Sequence, residues 1–217
     1  MDNKTNNYEV LLFDVTDVLV EPSSKVRNTI LSWTNMSNQE LGEYWIQSPA
    51  ARAFDQGKIS SHTYAKLVVQ ELDIPVRPLE FLELYRNWPQ RLYEGIPELL
   101  STLGSQCRLA CFSNTNEAHW PRIQEKFNLS ALIGERFLSY EIGLLKPDKD
   151  AFEFVVQALD CPAEKIAFFD PNQLTIDVAK THGLHAFHIT GGDQLQSILG
   201  ALEILESSNL PAGVGIE

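Results

Sequence analysis

Two aspartates directly follow apolar runs, and a carboxylate at such a position can take part in catalysis or bind a metal. Asp14 directly follows the apolar run 10–13, and Asp170 directly follows the apolar run 166–169. A charge at the end of a buried strand costs free energy unless it is paired or bound to a metal. Each could act as a nucleophile or a metal ligand, although Asp14 could also start a turn or cap a helix, and Asp170 could open a β-turn.

Two further segments carry groups that suit a phosphate. Ser113 and Asn114 follow the apolar run 109–112, where a strand gives way to a helix and backbone N–H groups can hold an anion. An ordinary helix cap would use the same residue types. Lys146 precedes a third helical segment and could neutralise phosphate in a cleft, or could simply be solvated.

The elements that must position these residues alternate along the chain. Short apolar runs at 10–13, 109–112, 166–169 and 186–189 are separated by segments whose apolar residues recur at helical spacing. This alternation predicts an α/β fold in which helices cover a parallel sheet, with any site at the carboxyl ends of the strands. Pro147 is expected in the first turn of the third helix.

About seventy residues after the first strand have a helical pattern without strand runs, and Ser37 to Glu40 match a capping box. We expect them to form a small helical cap at 21–94. The core domain would then comprise 1–20 and 95–206, and 207–217 would be a flexible tail.

Composition narrows the function classes. Seventeen Lys and Arg against 29 Asp and Glu give a formal charge of −12, the wrong sign for nucleic acid or an anionic membrane. The sequence has no apolar stretch long enough to span a membrane and an odd number of cysteines, three. We expect a soluble, cytoplasmic protein, and the oligomeric state stays open.

The order Asp, Ser, Lys, Asp at successive strand ends resembles the haloacid dehalogenase-like (HAD) superfamily. The resemblance extends from about Val10 to Gly192, and the segments SNTNEAHW, LLKPD and IAFFD are closest to the sugar-phosphatase branch that includes glucose-1-phosphatases. It implies a Rossmann-like, three-layer parallel sheet core with an inserted cap. It further implies a phosphatase that acts on a small phosphorylated metabolite.

The resemblance also assigns roles. Asp14 would attack phosphorus and form an aspartyl-phosphate, and Mg²⁺ would offset the repulsion between carboxylate and phosphate. The metal would be held by the Asp14 carboxylate, the backbone carbonyl of Thr16 and the Asp170 carboxylate. Ser113 and the Asn114 N–H would hold phosphoryl oxygens.

Lys146 would orient and neutralise the same phosphoryl group.

Two positions depart from the family pattern. Thr16 stands where phosphatases usually carry a second Asp; its hydroxyl could position water in catalysis, but it cannot serve as an acid near neutral pH. Pro171 stands at the usual metal-ligand position of the last motif, where Asn172 or Asp177 could compensate.

Two other readings follow from these departures. The chain could be a catalytically weak or inactive relative that binds a phosphorylated ligand or a protein partner. It could also hydrolyse a carbon–halogen bond, although such enzymes generally carry an aromatic residue at the position of Thr16.

Some conspicuous residues are assigned to structure. His182, His185 and His188 straddle a helix end and a strand, so their side chains are not expected to share one metal. The aromatic and basic residues of the insertion could line a substrate pocket but are more often core. These residues are Trp45, Arg52, Trp88 and Arg91.

Overall fold

The computed structural model describes residues 7–202 and 204. Its main sheet is parallel and five-stranded, with strand order β5-β4-β1-β6-β7. The strands of this sheet are β1 (Val10–Phe13), β4 (Arg108–Ser113), β5 (Glu135–Leu138), β6 (Ile166–Asp170) and β7 (His185–His188). The predicted α/β class and parallel sheet are confirmed.

The central strand β1 shows why the core has three layers. All four of its residues are fully buried, and their side chains alternate between two apolar clusters. Leu11 and Phe13 belong to one cluster, whereas Val10 and Leu12 belong to the other. A strand with apolar residues on both faces must be covered by helices on both sides.

Within the described residues, six α-helices belong to the core. They are α6 (Ile96–Gly104), α7 (Trp120–Phe127), α8 (Ser139–Ile142), α9 (Lys149–Leu159), α10 (Gln173–Thr181) and α11 (Gly192–Ala201). Pro147 does not begin α9, contrary to expectation. Asp148 has an extended backbone and is the N-cap, so Pro147 lies one residue before the cap, in a cis peptide bond with Lys146.

The insertion forms a helical unit with its own apolar cluster. Its helices are α1 (Ser24–Thr34), α2 (Asn38–Gln47), α3 (Pro49–Asp55), α4 (Ser61–Glu71) and α5 (Pro78–Tyr85). The capping box at the start of α2 is confirmed, since Ser37 and Glu40 bond each other's backbone N–H groups. The domain boundaries themselves stay a prediction.

The expectation that the insertion contains no strands is wrong. Strands β2 (Val20–Pro22) and β3 (Pro89–Leu92) form an antiparallel pair at the two ends of the helical unit. Both are very short, and the partners Glu21 and Arg91 form an ion pair instead of an apolar contact. Such a pair has too few residues to show strand periodicity in the sequence.

No helix within the described residues is both long and apolar enough to cross a membrane. The flexible tail expected at 207–217 lies outside the described residues.

Candidate functional site

The register of the sheet brings the two acids together. Phe13 of β1 pairs with Phe169 of β6, so Asp14 and Asp170 end neighbouring parallel strands at the same edge. The backbone N–H of Asp14 extends this ladder by donating to the Phe169 carbonyl at 2.8 Å. The edge is the carboxyl end of the sheet, where the sequence places the site.

Lys146 lies between the two acids. Its Nζ donates to Asp14 Oδ1 at 3.0 Å and to Asp170 Oδ2 at 2.6 Å. The three side chains are 4%, 13% and 3% exposed for Lys146, Asp14 and Asp170, so the triad is largely shielded from water. The ammonium also lies 5.2 and 5.5 Å from the ring centroids of Phe112 and Phe168.

Asn114 fixes the segment that carries Lys146. Its Nδ2 donates to the Lys146 carbonyl at 2.8 Å, and its Oδ1 accepts from the Lys146 N–H at 2.9 Å. This two-bond contact ties the end of β4 to the loop before α9. The Asn114 side chain therefore positions Lys146, a role that the sequence analysis did not assign to it.

Burial controls the proton equilibria of the triad. Desolvation raises the pKa of Asp14 to about 6, because the attraction of Lys146 offsets it only in part and the charge of Asp170 adds to it. Burial alone would lower the pKa of the Lys146 ammonium, but its two carboxylate partners outweigh burial and raise it. Lys146 is therefore a permanent cation.

Asp170 is held from both sides. Its Oδ2 accepts from Lys146, and its Oδ1 accepts from the backbone N–H of Asn172 at 2.8 Å. The Asn172 Oδ1 caps α10 by accepting from the backbone N–H groups of Leu174 and Thr175. Asp177 is exposed and bonded to Gln173.

The triad opens into a cavity of about 220 Å³ between the sheet edge and the helical unit. Its lining includes Asp14, Asn114, Lys146 and Asp170 of the sequence-predicted site residues, and also Pro171, Asn172 and Thr175. Thr16 and Ser113 are not part of this lining. Ser113 is only 1% exposed, and Thr16 bridges to Val20 in the turn beyond Asp14.

The helical unit supplies the opposite wall. This wall is lined by Trp45, Ile46, Arg52 and Asp55. The sequence analysis considered four residues of the insertion as either pocket or core, and two of them, Trp45 and Arg52, line the cavity. Of the other two, Trp88 lies beneath the Arg27 guanidinium and Arg91 pairs with Glu21.

Asp55 is the residue that sequence reasoning missed. It ends α3, and its Oδ1 accepts from Asn116 Nδ2 of the core at 2.8 Å. Burial raises its pKa to about 6, with the Asn116 bond acting in the opposite direction. No signal in the sequence marked it, because its place in the cavity depends on how α3 packs on the core.

Further contacts join the helical unit to the core near the cavity. Arg52 of α3 forms an ion pair with Asp148, the N-cap of α9, at 2.8 Å. The backbone N–H of Ser61 donates to Glu117 at 2.5 Å. His119 bonds the Tyr85 carbonyl, and burial lowers the pKa of its imidazole to about 4, so it is neutral.

Within residues 7–202 and 204, no group of three or more His, Cys, Asp or Glu side chains is arranged to hold a metal. His182, His185 and His188 each bond a different partner: the Val178 carbonyl, the Tyr8 hydroxyl and the Pro171 carbonyl. A metal at the triad would be held by two carboxylates together with backbone or water oxygens.

These features define a class: a Rossmann-like α/β protein with a buried Asp–Lys–Asp triad at the carboxyl edge of its sheet and a helical unit over the edge. A family model described as haloacid dehalogenase-like hydrolase matches residues 8–183. The chain belongs to the haloacid dehalogenase-like hydrolases. The sugar-phosphatase branch within that superfamily stays a prediction.

Solved structures share the fold at low sequence identity. The HAD family enzyme BT-2542 from Bacteroides thetaiotaomicron is 16% identical, with a TM-score of 0.74 over 88% of this chain and 98% of that chain. A HAD-like family hydrolase from Porphyromonas gingivalis is 14% identical, with a TM-score of 0.74 over 92% and 99%. The HAD-hydrolase YfnB from Bacillus subtilis, bound to magnesium, is 21% identical, with a TM-score of 0.63 over 89% and 99%.

Proposed function

We propose that this protein is a phosphatase that removes phosphate from a small metabolite through an aspartyl-phosphate on Asp14. The observation that carries the proposal is the triad: two carboxylates share one buried ammonium at the mouth of a small cavity. BT-2542, which shares the fold, has been solved in complex with magnesium and inorganic phosphate, which supports the same chemistry here.

Asp14 is the nucleophile in this proposal. It is the most exposed member of the triad, at 13%, and it lines the cavity. A carboxylate oxygen attacks phosphorus, the bond from phosphorus to the ester oxygen breaks, and water later cleaves the acyl-phosphate. Because the pKa of Asp14 is about 6, the carboxylate is largely ionised at neutral pH.

Lys146 and the end of β4 receive the phosphoryl group. Asn114 holds the Lys146 backbone and Asp170 holds its ammonium, so the charge is presented without reorganisation. We propose that Ser113 and the Asn114 N–H contribute hydrogen bonds to phosphoryl oxygens, as their place at the strand end suggests.

The donor chemistry fits Mg²⁺. Asp14 and Asp170 supply two hard oxygen ligands, and Mg²⁺ commonly takes one or two carboxylates and completes its shell with water and phosphate oxygens. We assign Asp14, the Thr16 carbonyl and Asp170 as its ligands. Bound there, Mg²⁺ supplies positive charge that offsets the repulsion between carboxylate and phosphate.

The charge balance of the cavity supports this need. Three carboxylates line it, Asp14, Asp55 and Asp170, against the two cations Arg52 and Lys146. Even with Asp55 protonated, Asp14 and Asp170 match the two cations, so a phosphate dianion would enter a pocket without spare positive charge. An added divalent cation reverses that balance.

The cavity also limits the substrate. Its volume of about 220 Å³ is below the roughly 300–1,000 Å³ of ordinary ligand pockets. A small phosphomonoester, with Trp45 and Ile46 against its carbon skeleton, matches these walls.

A second candidate function is phosphoryl-ligand binding with little or no turnover. It is favoured by one observation: neither Thr16 nor Pro171 has a carboxylate side chain, and Asp177 does not line the cavity.

The test is phosphate release from a panel of small phosphomonoesters, with Mg²⁺ and with a chelator. We expect Mg²⁺-dependent release, and a loss of at least roughly 10³-fold in Asp14→Asn because the nucleophile is gone. Asp160→Asn is the matched control, since Asp160 is exposed and adopts a left-handed conformation that Asn also tolerates. Tight phosphate binding without turnover would favour the second candidate, and chloride release from a 2-chloro acid would favour dehalogenation.

A further inference from the structure

Cleavage of a phosphate ester from an alcohol needs a proton for the departing oxygen, and the cavity offers few sources. Its titratable lining residues are Asp14, Arg52, Asp55, Lys146 and Asp170. Asp14 must be ionised to attack. Asp170 accepts from Lys146 at 2.6 Å, so it is an acceptor in that bond.

The two cations do not release protons near neutral pH. The guanidinium of Arg52 is always protonated, and the two acids raise the pKa of Lys146 further above its ordinary value. Thr16 has no acidic group and lies outside the lining. Asp55 is the one remaining titratable group among the described residues of this lining.

The geometry of Asp55 suits such a role. It lies on the wall opposite the triad, at the end of α3, and lines the same cavity of about 220 Å³ as Asp14. Its Oδ1 is anchored by Asn116 at 2.8 Å. Over the described part of the chain, the Asn116 bond is its one side-chain hydrogen bond, and Asp55 has no ion pair.

The surroundings of Asp55 keep both protonation states accessible. The charged and titratable groups around it are Arg52 one turn earlier on α3, the phenols of Tyr64 and Tyr85 from α4 and α5, and the triad of Asp14, Lys146 and Asp170 that lines the same cavity. Burial raises the pKa of both phenols, so they stay neutral, and it raises that of Asp55 to about 6.

We propose that Asp55 carries the proton in both halves of the reaction, an inference that rests on the proposed phosphatase function. In the first half, an Asp14 oxygen bonds to phosphorus, the ester P–O bond breaks, and the leaving alkoxide takes the proton of the Asp55 carboxyl. In the second half, water bonds to phosphorus, the bond from phosphorus to Asp14 breaks, and the Asp55 carboxylate accepts the water proton.

The test compares two esters in Asp55→Asn. An alkyl phosphate has a strongly basic leaving group and needs the proton, whereas p-nitrophenyl phosphate releases a stable anion and does not. We expect turnover of the alkyl ester to fall roughly 10²–10⁴-fold. With the aryl ester, we expect p-nitrophenolate to be released at close to the normal rate, whereas hydrolysis of the aspartyl-phosphate slows. The result is a burst of about one equivalent of p-nitrophenolate per enzyme.

The pH profile supplies a second readout. The acid form of Asp55 is needed for the first half-reaction, so single-turnover cleavage of the alkyl ester should decline as pH rises above about 6 in the wild type. Asp55→Asn should lose this alkaline decline. Asp73→Asn is the matched control, because Asp73 is an exposed residue of the helical unit in a left-handed conformation.

Two results would overturn the inference. If the rate of leaving-group release falls equally for the two esters, Asp55 holds the substrate or the helical unit in place. Unchanged rates on both would show that the proton comes from elsewhere. Circular dichroism of Asp55→Asn checks folding, and Asn can still accept the Asn116 bond. Failure of the proposed function is a separate outcome, recognised when wild type and Asp14→Asn hydrolyse neither ester.

Discussion

At the scale of single residues, the site depends on one buried cation. Lys146 is surrounded by Asp14, Asp170 and the rings of Phe112 and Phe168, with little water to screen any of them. Desolvation of such ions offsets much of their attraction, so the triad adds little net stability. Removal of one member is different, because it leaves the others buried without their partner.

Replacing Lys146 tests this argument. We expect Lys146→Met to destabilise the fold at pH 8 by about 3–5 kcal/mol, since two carboxylates lose their shared cation. The loss should shrink as pH falls from 8 towards about 6, because Lys146 lowers the pKa of Asp14 and its removal lets Asp14 take up a proton at a higher pH than in the wild type. Urea unfolding at pH 5 and pH 8 measures both values.

The control for this experiment is Lys66→Met, which removes an exposed lysine from α4. The double variant Lys146→Met with Asp14→Asn should recover part of the stability, because one buried charge is then gone. A Lys146→Met protein as stable as Lys66→Met at pH 8 would contradict a buried, mutually dependent triad.

Sequence reasoning identified Asp14, Lys146 and Asp170 because each stands next to, or shortly before, a recognisable strand or helix. It could not show that Lys146 joins the two acids, since that depends on sheet register and on the loop held by Asn114. Asp55 was beyond its reach for a related reason. Its place in the cavity results from how α3 packs on the core, and no local pattern encodes that packing.

At the scale of elements, an ion pair joins α3, which lines the cavity, to the start of α9. The ion pair of Arg52 and Asp148 joins them at 2.8 Å, with side chains 36% and 45% exposed. Pairs with this much exposure contribute roughly 0–1 kcal/mol to stability. Such a contact can hold two elements together and still break easily when a substrate enters.

Asp148→Asn tests this contact without altering the cavity lining. We expect little change in global stability, at most about 1 kcal/mol, together with faster hydrogen exchange in α3. Asp150→Asn is the control, because it removes the same charge from the same helix end. Equal exchange in the two variants would show that the ion pair does not restrain α3.

The elements that the sequence predicted are those with strong apolar patterns. Strand β1 agrees with its predicted bounds, and β6 is longer by one residue, Asp170. Strand β5 was not predicted, because its first two residues, Glu135 and Arg136, are charged and lie at the sheet edge. Strands β2 and β3 were not predicted because they are defined by their hydrogen bonds to each other. They do not bury a face with a regular apolar pattern in the sequence.

At the scale of the whole molecule, the net negative charge of the chain is offset locally by where the fold places its cations. The chain carries a formal charge of −12, yet its proposed substrate is an anion. The fold places Lys146 and the carboxylates of Asp14 and Asp170 at one point, where the parallel strands end. The helical unit then covers that point and supplies Arg52 and Asp55 from the opposite wall.

The most direct measurement of the central claim is chemical trapping of the phosphorylated protein. The protein is incubated with Mg²⁺ and a phosphomonoester that it hydrolyses, and the reaction is quenched. Treatment with borohydride then reduces an aspartyl-phosphate to homoserine. Peptide mass spectrometry then locates the change. The account predicts homoserine at position 14, and an unmodified Asp14 in a preparation that is turning over the ester would contradict it.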